Sequence, residues 1–517
     1  MPRSDEGAFA TPTTEEIEAL AADLGIPLGE DESEDYRTLA SDAIEGSNPI
    51  RHADPFDPGL RPDDYAGRNG GYRPDADEDP HNAWIRKLSL GSDADGPLSA
   101  TSVGLKDSIA LAGVELTLGS SVMEGFVPEI DATVVHRLRD AGAEIAGKLN
   151  MESFAFSGTG GLSDYGPVTN PRSEDHLAGG SSSGSAVAPV VGDCDVALGT
   201  DQAGSVRIPS SWCGLVGIKP TYGLVPYTGV VPLERSLDHV GPMATSVEAV
   251  ARTLEVLAGE DVADGIRLDD RQPTGVAADD YVAATGEDPA GLSVAFLQEG
   301  FGWEFSEPAV DEAVRATEDA FESRGVDVDR VSVPRHRQSI AIWGAIATQG
   351  GARLLAEGSV GTNHEGWSWP QLARVMDSFR DARARDLPPT VKRTLLAAAY
   401  LDEEYGIEPY AKARSLAMAA EREFDAVLDD YDAIALPTTV VRAFEHVPDI
   451  DRVDALQREV ATIANTSMFN VTGHPAISVP CGRPDGRPVG LMLVGSHFDE
   501  PTLFRLASGV EDAVADG

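Results

Sequence analysis

The sequence predicts an α/β protein with a small helical segment at its N-terminus, and three observations carry that expectation. From Trp84 onward, strand-like runs alternate with stretches of helical period, the order expected when helices cover a sheet. Ahead of Trp84 only helical periodicity is found. Between these parts lies a stretch rich in proline, glycine, aspartate and arginine, which has no period at all.

Thr13 and Glu16 have the spacing of a capping box, in which each side chain serves the other's backbone N–H. Ile17, Leu20, Ala21 and Leu24 follow at helical intervals before Gly25, and Tyr36, Leu39, Ala43 and Ile44 repeat the pattern up to Gly46. Residues 1–47 are therefore expected as two amphipathic helices. Residues 48–80 are expected as a linker wrapped on the main body, because their composition favours turns over periodic structure. Residues 81–517 form the expected main domain.

Within it, Ser102 to Lys106 suits a strand end running into the interior. Val134, Val135 and Leu138 share a helical face ending near Gly142, and Glu144 to Leu149 follows as a strand. Ser185 to Gly192 is a small-residue run suited to a tightly packed helix, and Asp195 to Thr200 a short buried strand. Ala309–Phe321 reads as helix, Val326–Val333 as an alternating strand, Ala411–Leu428 as helix and Ala433–Leu436 as an apolar strand. No internal repeat is present.

With 517 residues, 42% of them hydrophobic, the chain can bury a large core. Its net charge of -46 is spread along the whole length, so its field repels nucleic acid and anionic membranes alike. Such a surface suits high salt, where screening shortens the range of self-repulsion. The three cysteines, Cys194, Cys213 and Cys481, lack metal-type spacing and are expected as reduced core residues. The first residues hold no apolar signal segment and no later run reaches membrane-spanning length, so a cytoplasmic protein is expected.

Chemistry is concentrated in three places: Lys106, the turn Gly179-Gly-Ser-Ser-Ser-Gly-Ser185, and the turn Asp201-Gln-Ala-Gly-Ser-Val-Arg-Ile-Pro209. A serine hydroxyl needs a base to take its proton and fixed N–H donors to hold the oxyanion that follows. Lysine serves as that base only when burial holds its amine neutral. The chain has just six lysines, and Lys106 sits between apolar residues; the plainer alternative is a surface lysine paired with Asp107. Ser205, at the tip of the second turn, is the candidate nucleophile. Ser182 and Ser183 are expected to cap the helix behind the first turn, and spacing alone does not choose the serine that relays a proton.

The run from Gly179 to Tyr222 resembles the signature of the amidase signature family. Val103-Gly-Leu-Lys-Asp-Ser108, Lys148-Leu-Asn-Met-Glu-Ser-Phe154 and Phe469-Asn-Val-Thr-Gly-His-Pro-Ala-Ile-Ser-Val-Pro480 extend the likeness over roughly residues 80 to 510, the last as a C-terminal strand. The resemblance implies a large mixed β-sheet core flanked by helices and a Ser-cisSer-Lys triad. Motif by motif, it implies Ser205 as nucleophile, Ser181 as the cis-serine relay and Lys106 as base. It also implies an oxyanion hole from the N–H groups of Gln202, Ala203, Gly204 and Ser205, with Ser182, Asp201 and Arg207 bracing the site. Ala203 stands where the family usually has glycine, which leaves the oxyanion geometry open.

That likeness further implies an amidase releasing carboxylate and ammonia from a small carboxamide, with no cofactor or metal. Its partners are then a small-molecule amide substrate, no nucleic acid and no membrane, with a homo-oligomer left open. The alternative is the glutamine-hydrolysing component of a tRNA-dependent amidotransferase. Phe154 and Phe156 hold family positions in the pocket wall, although core packing explains them equally well.

Two other readings are weaker. Gly180-Ser-Ser-Ser-Gly184 formally fits an esterase nucleophile elbow on Ser182 but lacks the hydrophobic strand that must precede it. The glycine-rich turn also lacks the lysine of a phosphate-binding loop. His239 and His474 are expected to be structural. The acidic surface generates one prediction: dialysis to low salt should lower both stability and activity, measured by thermal unfolding and turnover, whereas full retention of both contradicts a salt-adapted surface.

Overall fold

In the computed structural model, which describes residues 9–29, 31–63 and 65–516, eleven strands form one mixed sheet. They are β1 (Trp84–Leu90), β2 (Ser102–Lys106), β3 (Glu144–Leu149), β4 (Val196–Asp201), β5 (Val216–Lys219) and β6 (His239–Ala244). The second half comprises β7 (Ser293–Leu297), β8 (Asp327–Val331), β9 (Ala433–Pro437), β10 (Ala476–Gly482) and β11 (Val489–Val494). Their order across the sheet is β1-β3-β2-β4-β6-β5-β10-β11-β9-β7-β8. Parallel pairing joins β3, β2 and β4 on one side and β9, β7 and β8 on the other. Antiparallel strands link the two groups.

Apolar side chains alternate between the two faces with the period of two that a strand imposes. In β4, Val196 and Leu198 join one core with Val250, Leu254 and Leu138. Ala197 points the other way, toward Ala186, Val187, Cys213 and Met243. In β10 and β11, Ile477, Val479, Leu491 and Leu493 belong to the first core, while Ala476, Met492 and Val494 pack with Phe424 and Ile346. Both faces are covered, which explains why β4 and β11 read as apolar runs without polar alternation.

The chain divides into two compact units between Pro58 and Gly59, so the expected linker of residues 48–80 is shared between them. In the first unit, helices span Thr14–Asp23 and Glu32–Gly46, and the capping box of Thr13 and Glu16 is formed. Leu20, Leu24, Tyr36 and Leu39, the expected apolar stripes, are exposed. In the second unit, Arg68 pairs with buried Asp131 at 2.7 Å, and Tyr72 bridges to Lys87 of β1.

Several elements differ from expectation in instructive ways. The helix read over 309–321 is two, Pro308–Arg315 and Thr317–Ser323. The run read as a C-terminal strand from Phe469 instead opens with a short helix, Ser467–Val471, and its strand begins at Ala476. Long helices over Ser339–Ala356 and Pro389–Tyr405 carried no periodic signal strong enough to read. Among the described residues, no helix is long and apolar enough to cross a membrane.

The plainer pairing of Lys106 with Asp107 is not what the fold builds. Asp107 faces Lys148, 3.3 Å away, and both side chains are fully buried. Thr117 adds its N–H and hydroxyl to Asp107, and Lys148 donates to the Ile109 carbonyl. Removing one member of a buried ion pair strands the other charge, at a cost of about 3–5 kcal/mol. Lys148→Ala should therefore lose that much in chemical denaturation, and a loss below about 1 kcal/mol, as for a surface pair, would contradict it.

Candidate active site

Parallel pairing of β2 with β4 places Leu105 beside Leu198 and so brings the C-terminal ends of both strands together. Lys106, the last residue of β2, is fully buried there. Its Nζ lies 2.7 Å from Ser181 Oγ and donates to Thr200 Oγ1 at 2.8 Å and the Thr200 carbonyl at 3.3 Å. Among the described residues, no carboxylate lies within ion-pairing distance of it. Burial lowers its pKa to about 7, against the upward pull of the Asp201, Glu152 and Asp238 charges.

Ser181 follows a cis peptide bond from Gly180, as the resemblance implied. The Gly180 N–H donates to the Gly158 carbonyl and the Ser181 carbonyl accepts from the Glu152 N–H. Glu152 is itself buried and accepts from the N–H groups of Gly161 at 3.0 Å and Leu162 at 2.7 Å. The following helix, Ser183–Val191, starts beside the turn that holds Ser205, with the Ser182 N–H donating to the Ser205 carbonyl at 3.3 Å.

Ser182 stands at the capping position of that helix, yet its hydroxyl caps nothing. It donates to the Thr200 carbonyl at 3.1 Å and accepts from the Thr200 N–H at 3.3 Å. The expected capping role is thus replaced by a tie between the first serine turn and the end of β4. Ser183 Oγ is buried with no hydrogen-bond partner among the described residues.

The second turn is organised by Asp201. Its carboxylate accepts from the N–H groups of Gly204 at 2.7 Å and Val206 at 3.1 Å. It also accepts from Arg207 Nε and Nη2 at 3.0 and 2.9 Å and from Asn470 Nδ2 at 2.8 Å. Burial raises its pKa, but the Arg207 charge, the Arg207 and Asn470 hydrogen bonds and Lys219 outweigh that and hold it well below the usual range. Arg207, also fully buried, reaches on to the Thr466 carbonyl and Asn470 Oδ1.

The positive φ of the turn falls on Gly204, at +132°, and not on Ala203. This removes the difficulty raised by alanine at 203, since its backbone lies outside the glycine-favoured region. The Ala203 carbonyl accepts from Thr466 Oγ1 and the Gln202 carbonyl from Trp343 Nε1. The Gln202 side chain donates to Tyr227 Oη and Asp238 Oδ1. The N–H groups of Gln202, Ala203 and Ser205 have no acceptor among the described residues.

Ser205 opens into a small cavity. Phe156, Leu233, Trp343 and Ile463 form apolar walls, and an ion pair of Arg393 with Glu459 forms a polar one. Burial pushes Glu459 up to about 7, against the lowering effect of Arg393. Phe154 lines the adjoining space beside Met151 and Gln202. Arg393, Glu459, Thr200 and Asp238 went unnoticed in the sequence, because no short motif joins them to the serine turns.

His239 is buried, with Nδ1 2.8 Å from the Leu237 carbonyl and Nε2 3.3 Å from Lys219 Nζ, and it lines no wall of the Ser205 cavity. Cys194 and Cys213 are buried free thiols and Cys481 is partly buried. The residues before Gly180 form no strand, so the esterase elbow lacks its support.

The family model described as amidase matches residues 81–504. The chain belongs to the amidase family. Its members act as hydrolases on amides, and the mixed sheet described above is shared with the family's solved structures. An enantioselective amidase of Rhodococcus rhodochrous is 41% identical over 440 residues, covering 84% of each chain. One component of the glutamyl-tRNA(Gln) amidotransferase of Natronomonas pharaonis is 39% identical, over 83% of this chain and 99% of its own. The crystal structure of the corresponding amidotransferase component from Thermotoga maritima superposes with a TM-score of 0.69 at 30% identity, covering 84% of this chain and 88% of that one.

Gly204 generates a prediction for this family member. A Cβ there would meet Thr466 Oγ1 at 2.3 Å and Ile208 Cδ1 at 2.7 Å, on a backbone at +132°. Gly204→Ala should displace the turn and lower kcat/KM for amide hydrolysis by about 10²-fold, the cost of misplacing a reacting group by about 1 Å. Unchanged kinetics would show that the turn tolerates the side chain.

Proposed function

We propose that this chain hydrolyses a carboxamide through an ester on Ser205, with Lys106 as base and Ser181 as relay. The observation that carries the proposal is the buried amine of Lys106, 2.7 Å from Ser181 Oγ, with its pKa drawn down to about 7. Neutral Lys106 takes the Ser181 hydroxyl proton while Ser181 takes that of Ser205, and Ser205 Oγ bonds to the amide carbon. The N–H groups of Gln202, Ala203 and Ser205 stabilise the resulting oxyanion. The expected fourth donor, Gly204, already gives its N–H to Asp201, so its part is to shape the turn.

Collapse of the tetrahedral adduct breaks the C–N bond as the proton returns through Ser181 to the leaving amine. Water then takes the place of Ser205, the ester is cleaved and the carboxylate departs. In this proposal the enzyme works in the cytoplasm at high salt on a small-molecule amide.

The apolar walls of Phe156, Leu233, Trp343 and Ile463 favour an aryl or aliphatic acyl group. A second reading, glutamine hydrolysis on behalf of a partner protein, draws on the amidotransferase relative and on the polar Arg393–Glu459 pair. Purified chain assayed alone against a carboxamide panel and against glutamine separates them: turnover of apolar carboxamides supports the first, and turnover of glutamine alone the second.

The base assignment predicts a pH dependence with a defined sign. Protonating Lys106 removes the base, so kcat/KM should rise with pH through about 7 and level off above. Glu459 is also drawn to about 7, so the same profile is to be measured in Glu459→Gln, where the Lys106 limb should persist. Ser205→Ala and Lys106→Met should each cost at least about 10³-fold in kcat. Retention of wild-type turnover in either variant would refute the mechanism.

A further inference from the structure

Remote from the serine turns, three ligand-bearing side chains converge from separate parts of the second unit. Asp425 lies on the helix Glu408–Leu428, His474 just ahead of β10, and His497 just after β11. Their ligand atoms all lie within 4.8 Å of one another, and the two imidazole centroids are 4.1 Å apart with the rings tilted by 38°. None of the three lines the Ser205 cavity.

The hydrogen bonds dictate which ring nitrogens face inward. His497 Nε2 is 3.1 Å from the Thr472 carbonyl, and a carbonyl only accepts, so this nitrogen carries the proton. In the neutral ring Nδ1 then presents a bare lone pair, 3.8 Å from Asp425 Oδ1. His474 also reaches Thr472: Nδ1 sits 2.9 Å from Thr472 Oγ1 and Nε2 3.0 Å from Asp425 Oδ1, and Nε2 is free to ligate when Nδ1–H donates to that hydroxyl. One residue, Thr472, thus fixes the outer nitrogen of both rings, the arrangement that orients metal-bound histidines. A lone pair facing a carboxylate is repulsive, and either a proton or a metal ion between them relieves it.

We propose that Asp425, His474 and His497 bind a zinc ion, with water completing the coordination on the half-exposed Asp425 side. Two imidazole nitrogens and one carboxylate oxygen are a donor set that suits Zn²⁺ over Mg²⁺ or Ca²⁺. At zinc–ligand distances of about 2.0–2.2 Å, tetrahedral ligands stand about 3.4 Å apart. The ligand atoms, now within 4.8 Å of one another, therefore close by roughly an ångström or more through rotation about the partly exposed Asp425 and His497 side chains.

The ion would pin the helix Glu408–Leu428 to the adjacent strands β10 and β11. Lys219 Nζ donates to the His474 carbonyl at 2.7 Å, which carries the brace to β5. The role is structural, and its readout is binding and stability, not turnover.

The test uses full-length chain without a histidine tag, stripped with chelator and titrated with ZnCl2 by calorimetry in excess Mg²⁺. The Mg²⁺ occupies the many surface carboxylates but not the imidazoles. One saturable zinc site per chain and a raised thermal midpoint are expected, with Co²⁺ giving the visible bands of a low-coordinate nitrogen and oxygen site. Outer-shell changes alone cost about 10–100-fold in metal affinity, so His497→Ala and Asp425→Asn should each lose more than about 100-fold. Both residues are partly exposed, and equal metal-free thermal midpoints show that the variants fold. No saturable zinc binding, or binding unchanged in either variant, overturns the site.

Discussion

A lysine amine buried without a carboxylate partner is the constraint on which the rest of the site depends. An ammonium in that position would lack both water and a counter-charge, so desolvation favours the neutral form. Two strand ends held side by side by parallel pairing create the position, since Lys106 ends β2 and Thr200 stands near the end of β4. The amine donates to Thr200 Oγ1 and lies 2.7 Å from Ser181 Oγ. The fold thereby draws the pKa of an ordinarily cationic side chain down to about 7.

The complementary device is the pairing of Asp201 with Arg207. Asp201 sits nearby and its charge raises the Lys106 pKa against the effect of burial. Arg207, fully buried beside it, donates two hydrogen bonds to the same carboxylate. The same carboxylate ties down Gly204 and Val206 and leaves three N–H groups of the turn without acceptors. One buried ion pair therefore organises the turn that holds Ser205. Replacing it with apolar residues would release that turn, whatever it did to stability.

Much of this was legible in the sequence because the two serine turns are short, glycine-rich runs beside single strands. Lys106 and Ser205 were candidates from their surroundings, Ser181 only through the family resemblance, and β4 and the helix after the first turn could be placed from apolar runs and residue size. The parts that escaped have physical reasons. The helix Arg207–Cys213 is too short to show a period and contains Pro209. The helix Ser339–Ala356 carries Gly344, Gly350 and Gly351, and interior glycine weakens any helical reading. Glu459 opens a four-residue helix and Arg393 lies on a different one. Only tertiary packing brings that pair to the cavity, and no local pattern encodes it. Ser182 shows the reverse error, a residue in a capping position whose hydroxyl is taken by β4.

The ionisation of Lys106 is directly measurable, since the chain holds only six lysines. Protein labelled with ¹³C at the lysine ε-carbon and titrated by NMR gives one signal per lysine, and the signal lost in Lys106→Met identifies this residue. It should titrate near 7. Titration near the ordinary lysine value of about 10.4 would contradict a neutral base at this position and the chemistry built on it.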